Sequence, residues 1–329
     1  MNFKPPHNRK HKLFYLVFLC FSSFSYGETS EYGSPDTANT IDSSSKNCEC
    51  TPINQSGNHA LMSDKLEAEH SNKALDYLIL PYKPNYLLPV AYNSNPNNSA
   101  YTGDESTGVS LDETEIKFQL SVKTPLVKSI FVNDDELTFA MTLTSWWQAY
   151  NSEISAPFRE TNYEPLIMYD VDLSDRKFFN LSFLGIGFSH QSNGRSTLFS
   201  RSWNRIFARF MFEFDKFGIM FKPWYRIPEE KKESPSQAKG DDNPDIEDYM
   251  GNFEFMGFTK FHDNEFRLLV RNNLDIDRNR GAIQVDWTFP MLLQLRGYVQ
   301  LFSGYGESLI DYNVYSNRVG VGFSLTRYL

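Results

Sequence analysis

The 329-residue chain is predicted to be all-β: a 12-stranded antiparallel transmembrane β-barrel with short periplasmic turns and longer extracellular loops. Three observations lead there. Apolar and polar residues alternate with period two from about residue 84 to the end, the pattern of strands with one greasy face. Past the N-terminus no apolar run approaches the ~18 residues that a membrane helix needs. Charges such as Arg267, Arg271 and Arg296 fall in mid-strand, which a soluble sandwich core excludes and a barrel with a polar interior accommodates. A mean hydropathy of −0.47 suits this reading, because alternation hides the lipid-facing half.

The elements follow in order. Arg9, Lys10 and Lys12 precede the apolar run Leu13 to Phe21 and the small residues Ser25 and Gly27, so residues 1–27 read as a signal peptide cleaved after Gly27. Leu19 stands where a lipoprotein signal carries a small residue, which argues against lipidation at Cys20. Residues 28–80 are rich in Ser, Asn, Glu and Thr and read as a flexible periplasmic leader, with room for a short helix over Leu66 to Leu78. Cys48 and Cys50 in this stretch are able to bind a metal or pair with a partner; the composition favours an unstructured leader, and they receive no role.

Residues 81–329 form the barrel, with strands expected at 84–93, 114–126, 135–148, 163–172, 177–190, 201–213, 217–227, 248–260, 265–274, 281–289, 291–303 and 317–329. Pro89 interrupts the first of them. Connections alternate between long polar segments (94–113, 149–162, 228–247, 304–316) and short ones (Ser174–Arg176, His262–Asn264, Pro290). Outer-membrane barrels put the short turns and both termini in the periplasm.

The chemistry concentrates between Gly187 and Arg205. His190 lies in phase with Leu184, Ile186 and Phe188, and Ser192 shares that face. Across a hairpin centred on Thr197, Asn204 is in phase with Ile206, Ala208 and Phe210 and stands opposite His190. Three polar residues thus meet on the lipid face. A serine hydroxyl becomes nucleophilic when a base takes its proton and a third group fixes that base. Ser192, His190 and Asn204 fit those roles, and a neutral Asn spares the lipid boundary a full carboxylate charge. No Gly-x-Ser-x-Gly elbow is present, which excludes an α/β-hydrolase. A net charge of −9 with no basic stripe excludes nucleic acid as a partner.

Six segments carry a resemblance: Ser145-Trp-Trp-Gln148, Pro157 to Pro165, His190 to Arg205, Lys222-Pro-Trp-Tyr225, Asp241-Asp-Asn-Pro-Asp245 and Ser303 to Asn313. In these the chain resembles the outer membrane phospholipase A family. The resemblance implies calcium-dependent hydrolysis of phospholipids and lysophospholipids (phospholipase A1 and A2 activity) by an outer-membrane homodimer holding one calcium per monomer. It places the proton acceptor on His190, the nucleophile on Ser192 and the orienting amide on Asn204, with the Gly194 backbone N–H in the oxyanion hole. It places calcium ligands on Ser155, Arg195 (backbone carbonyl), Ser200 and the acidic Asp242, a hard-oxygen set that suits the ion.

The chain departs from the family pattern at Gln191 and Thr197, where acidic residues are common, at Leu143, where a polar residue meets the partner subunit, and at its terminal Leu329 in place of Phe. The alternative reading is a non-enzymatic outer-membrane pore or adhesin, with His190 and Ser192 as rim residues. A soluble β-sandwich hydrolase is a third class, and the long apolar face series contradict it.

Overall fold

A computed structural model describes residues 79–99, 110–174, 179–234, 237, 239–291 and 295–326. The signal peptide, the leader up to residue 78 with its helix, Cys20, Cys48 and Cys50, and the last residues of the expected final strand lie outside them.

Twelve strands close into a barrel: β2 (Tyr86–Asn93), β3 (Thr114–Lys128), β4 (Asp135–Trp147), β5 (Glu160–Asp172), β6 (Leu181–Ser192), β7 (Ser202–Glu213), β8 (Phe217–Ile227), β9 (Phe253–Phe261), β10 (Asn264–Asn272), β11 (Gly281–Pro290), β12 (Arg296–Gly304) and β13 (Ser316–Ser324). Each pairs antiparallel with its sequence neighbours, and β13 pairs with β2 to seal the ring, so no edge is left open. A two-residue strand, β1 (Leu80–Pro81), adds to β3 ahead of β2, an element the sequence reading assigned no strand. Pro89 is tolerated because the β2–β3 register shifts between Leu88 and Ala91, where its missing N–H is not needed.

The alternation read from the sequence sets the two surfaces. Leu184, Ile186, Phe188, Ile206, Leu268, Ile283, Val285, Trp287, Leu301, Val319 and Val321 are all exposed on the outer wall. The inner wall is buried and charged. Glu115 pairs with Arg159 at 2.9 Å and Arg318 at 2.8 Å, Arg267 with Asp286 at 2.5 Å, and Glu164 with Lys83 at 2.5 Å and Arg205 at 2.9 Å. These pairs cross-link the lumen, leaving a cavity of about 160 Å3 among Lys83, Glu164, Lys222 and Glu254.

Three strand boundaries differ from expectation for physical reasons. The fifth barrel strand starts at Leu181, because Phe179 and Asn180 take positive φ (49° and 59°) in the preceding turn, and it runs on to include Ser192. Residues 248–250 belong to a short helix, α1 (Ile246–Met250), whose Ile246 and Met250 bury one face four residues apart before Gly251 ends it at φ 70°. The eleventh starts at Arg296, since Met291 N–H donates to Leu295 O at 3.2 Å in a turn where the sequence suggested strand.

Connections at the end away from the termini are the long ones and include 148–159, 193–201, 228–252 and 305–315. Two of them reach back into the barrel mouth: Ile246, Met250, Leu309 and Tyr312 pack on Trp203, Phe207 and Trp224. That apolar plug backs the wall on which the polar cluster sits.

Candidate active site

The β6–β7 register places His190 directly opposite Asn204, as the strand faces predicted. His190 Nδ1 and Asn204 Oδ1 are 2.8 Å apart, a good hydrogen bond. Ser192 ends β6 two residues beyond His190, on the same face, between Tyr163 of β5 and Ser202 of β7. His190, Ser192 and Asn204 are each half-buried in a wall that continues into the exposed Phe188 and Ile206.

Behind this wall the lumen side is rigid. Gln191, between the two catalytic candidates, points inward and accepts Trp203 Nε1–H at 2.8 Å and Arg205 at 3.3 Å. Trp203 is fully buried and meets Trp224 edge-on at 6.0 Å. A side chain at Gly185 would collide with Asp170 and Arg209, which pair at 2.7 Å, so the small residues beneath the site leave room for lumenal charges.

The loop after Ser192 is shaped by Asn193, a residue the sequence reading overlooked. Its amide donates to Phe199 O at 2.8 Å and to Glu160 Oε2 at 3.4 Å, and its oxygen accepts Arg201 N–H at 3.0 Å and Arg195 N–H at 3.3 Å. Gly194 follows with φ 65°, a left-handed conformation that suits glycine, and Tyr163 lies 3.4 Å from where a Cβ would stand. Nothing in the sequence marks Asn193, because its partners lie on the backbone of its own loop and at the start of β5.

Of the four residues the resemblance assigns to calcium, two are in direct contact. Ser200 Oγ–H donates to Asp242 Oδ2 at 2.6 Å, so these two oxygens converge. Ser202 lies at 3.5 Å from the same carboxylate oxygen, and Lys232 forms an ion pair with the other. The Arg195 guanidinium lies against Glu160 at 3.4 Å and the carbonyl of Arg159, and the Ser155 carbonyl accepts Trp147 Nε1–H at 2.7 Å. Among the described residues no group of three or more His, Cys, Asp or Glu gathers. Ser200 and Asp242 fit a hard cation in donor type, and the Lys232 ammonium now paired with that carboxylate is what a bound cation would displace.

The segment Asp241 to Asp245 is bound into this rim. Asp241 accepts Arg226 at 2.6 Å, Asn243 Oδ1 accepts the Ser202 N–H at 3.0 Å, and Asp245 accepts the Tyr312 hydroxyl at 2.5 Å. Burial, then the Asp245 carboxylate, push the Tyr312 hydroxyl well above its ordinary range, so it stays a donor.

A closed 12-stranded outer-membrane barrel carrying a histidine–asparagine pair beside a serine on its lipid-facing wall defines the class. Comparison with known proteins then gives the family. Residues 62–325 match the model of the phospholipase A1 family, and the chain belongs to it. It is 38% identical over 260 residues to a phospholipase A1 of Klebsiella pneumoniae, covering 78% of this chain and 84% of that one. Against the phospholipase A1 of Escherichia coli (strain K12) it is 36% identical over 259 residues, covering 78% and 83%. Among solved structures it is similar to the calcium-bound dimer of the Salmonella typhi outer membrane phospholipase, with TM-score 0.68 and 36% identity over 77% of this chain and 93% of that one. The outer membrane phospholipase A of Escherichia coli matches equally, with TM-score 0.68 over 76% and 99%.

Proposed function

We propose that the chain hydrolyses the acyl ester bonds of phospholipids and lysophospholipids in the outer membrane, with Ser192, His190 and Asn204 as its catalytic triad and calcium as its cofactor. The observation that carries this reading is the 2.8 Å contact of His190 and Asn204 on a wall that faces lipid. A soluble substrate would call for a lumenal or loop site, whereas ester carbonyls of the bilayer lie against this face.

In this scheme Asn204 Oδ1 accepts the His190 Nδ1–H and leaves Nε2 as the base. His190 takes the proton of Ser192 Oγ–H while Oγ attacks the ester carbonyl carbon. The Gly194 N–H donates to the oxyanion that forms. His190 then returns the proton to the departing glycerol oxygen, leaving an acyl-serine. A water molecule, deprotonated by His190, attacks the acyl carbon; the acyl–Oγ bond breaks, His190 gives that proton to Ser192 Oγ, and the fatty acid is released. Esters at the two glycerol positions present the same carbonyl, so the scheme covers both A1 and A2 hydrolysis.

Ser155, the Arg195 carbonyl, Ser200 and Asp242 are the residues assigned to one calcium per monomer. When bound there, calcium supplies positive charge and polarised water beside the oxyanion. The Salmonella typhi relative is a dimer with bound calcium, which supports a homodimer as the active form here too. Leu143 sits on the outer wall opposite Leu120 and Tyr163, so this face offers apolar packing where relatives place a hydrogen bond. Export through cleavage after Gly27, with 28–80 as a leader, completes the proposal.

Purified protein in mixed micelles with calcium is expected to release fatty acid, and both EDTA and Ser192→Ala are expected to abolish release. Folded protein that conducts ions and releases no fatty acid would establish the pore reading instead.

A further inference from the structure

β8 ends at Ile227, and Ile227 is paired with Asn204 across the β7–β8 ladder. Glu229 is two residues on, so it returns to the face that Asn204 occupies. There its Oε1 accepts the Asn204 Nδ2–H at 3.0 Å. The contact makes a chain of three hydrogen-bonded side chains along the rim, from His190 through Asn204 to Glu229, with Ser192 two residues from His190 on the same face.

The chemistry of the last link decides the orientation of those before it. A carboxylate accepts hydrogen bonds and does not donate them, an amide does both at opposite ends, and a neutral imidazole does one at each nitrogen. Glu229 therefore draws the NH2 end of the Asn204 amide. The carbonyl end is left to His190 Nδ1, which must then carry the proton, and His190 Nε2 is left as the acceptor for the Ser192 hydroxyl. With the amide turned over, the Asn204 NH2 would face His190 Nδ1 and put the proton on Nε2, where the base would be disabled.

The chain just after Glu229 is tied to the Asp241–Asp242 segment. The Asp241 N–H donates to Glu230 O at 2.7 Å, Lys231 bridges Asp241, and Lys232 pairs with Asp242. The strand end and this strap bracket Glu229 on both sides.

We propose that Glu229 is a positioning residue that fixes the amide of Asn204 and, through it, the tautomer of His190. The proposal rests on the Ser192–His190–Asn204 reading above. The full-length protein in calcium-containing mixed micelles tests it. Glu229→Ala is expected to lower kcat roughly tenfold with KM little changed, because the base is misoriented and the lipid surface untouched. Glu229→Gln keeps an acceptor at the same reach and is expected to restore kcat to within about twofold of the parent. In an Asn204→Ala background, Glu229→Ala is expected to cost nothing more, since its effect passes through the missing amide. Equal losses in the Ala and Gln variants, a loss confined to KM, or an undiminished loss in the Asn204→Ala background would overturn it. Unchanged activity in Glu229→Ala while Ser192→Ala is dead overturns the role of Glu229 alone; an active Ser192→Ala overturns the triad itself.

Discussion

Asn193 touches no substrate in the proposed scheme, yet four hydrogen bonds from one side chain set the path of the chain between the nucleophile and the β7 strand. Removing them leaves the Gly194 N–H free to wander from the oxyanion. Asn193→Ala is expected to lower kcat by roughly one order of magnitude, comparable to the partial loss of an oxyanion donor, while the thermal midpoint shifts little. Steady-state kinetics alongside a melting curve check it; a fall in midpoint without a fall in kcat would assign Asn193 to folding. At this scale the sequence was informative about His190, Ser192 and Asn204, because strand periodicity fixes which face each one takes. It was silent about Asn193, Glu229 and Lys232, which lie outside the strands, where no period fixes the direction of a side chain.

At the scale of the element, the strands were legible and the connections much less so. A strand facing lipid on one side and charge on the other writes both environments into its alternation, as Val319 and Val321 beside Arg318 and Gly320 show. The loops carry no such period, and the two that fill the barrel mouth do so through single residues such as Ile246, Met250 and Leu309. The β12–β13 loop also sends Glu307 down to Lys117 at 2.9 Å and Arg318 at 2.7 Å. Burial on its own would raise this carboxyl, but Arg318 and then Lys117 outweigh it and hold it at about 2. Its folded value is depressed, so its contribution to stability is full above the ordinary carboxylate range and fades as pH falls from about 4.5 toward about 2. Glu307→Gln is expected to cost about 3 kcal/mol at neutral pH, and the gap to the parent protein to close over that acidic window. Denaturant unfolding at a series of pH values measures it; a pH-independent gap would show that packing, not charge, ties the loop to the lumen.

At the scale of the whole molecule, closure and placement belong together. A barrel without edges satisfies its backbone in lipid, and its cross-linked lumen gives the outer wall a rigid backing. A polar cluster on a wall that meets lipid is costly, so it calls for a function that needs the membrane as its substrate. The family match fixes the class of chemistry, and the geometry explains why such a site stands outside the barrel. The resemblance alone supplied the calcium residues, because two serines, a carbonyl and one aspartate from separate loops leave no spacing to read. The most direct measurement of the central claim is covalent: treat the folded protein, with calcium, with a long-chain alkylsulfonyl fluoride, and map the modified peptide by mass spectrometry. A single sulfonyl adduct on Ser192, lost in His190→Ala, is expected. An adduct on another residue, or none under conditions where fatty acid is still released, would contradict it.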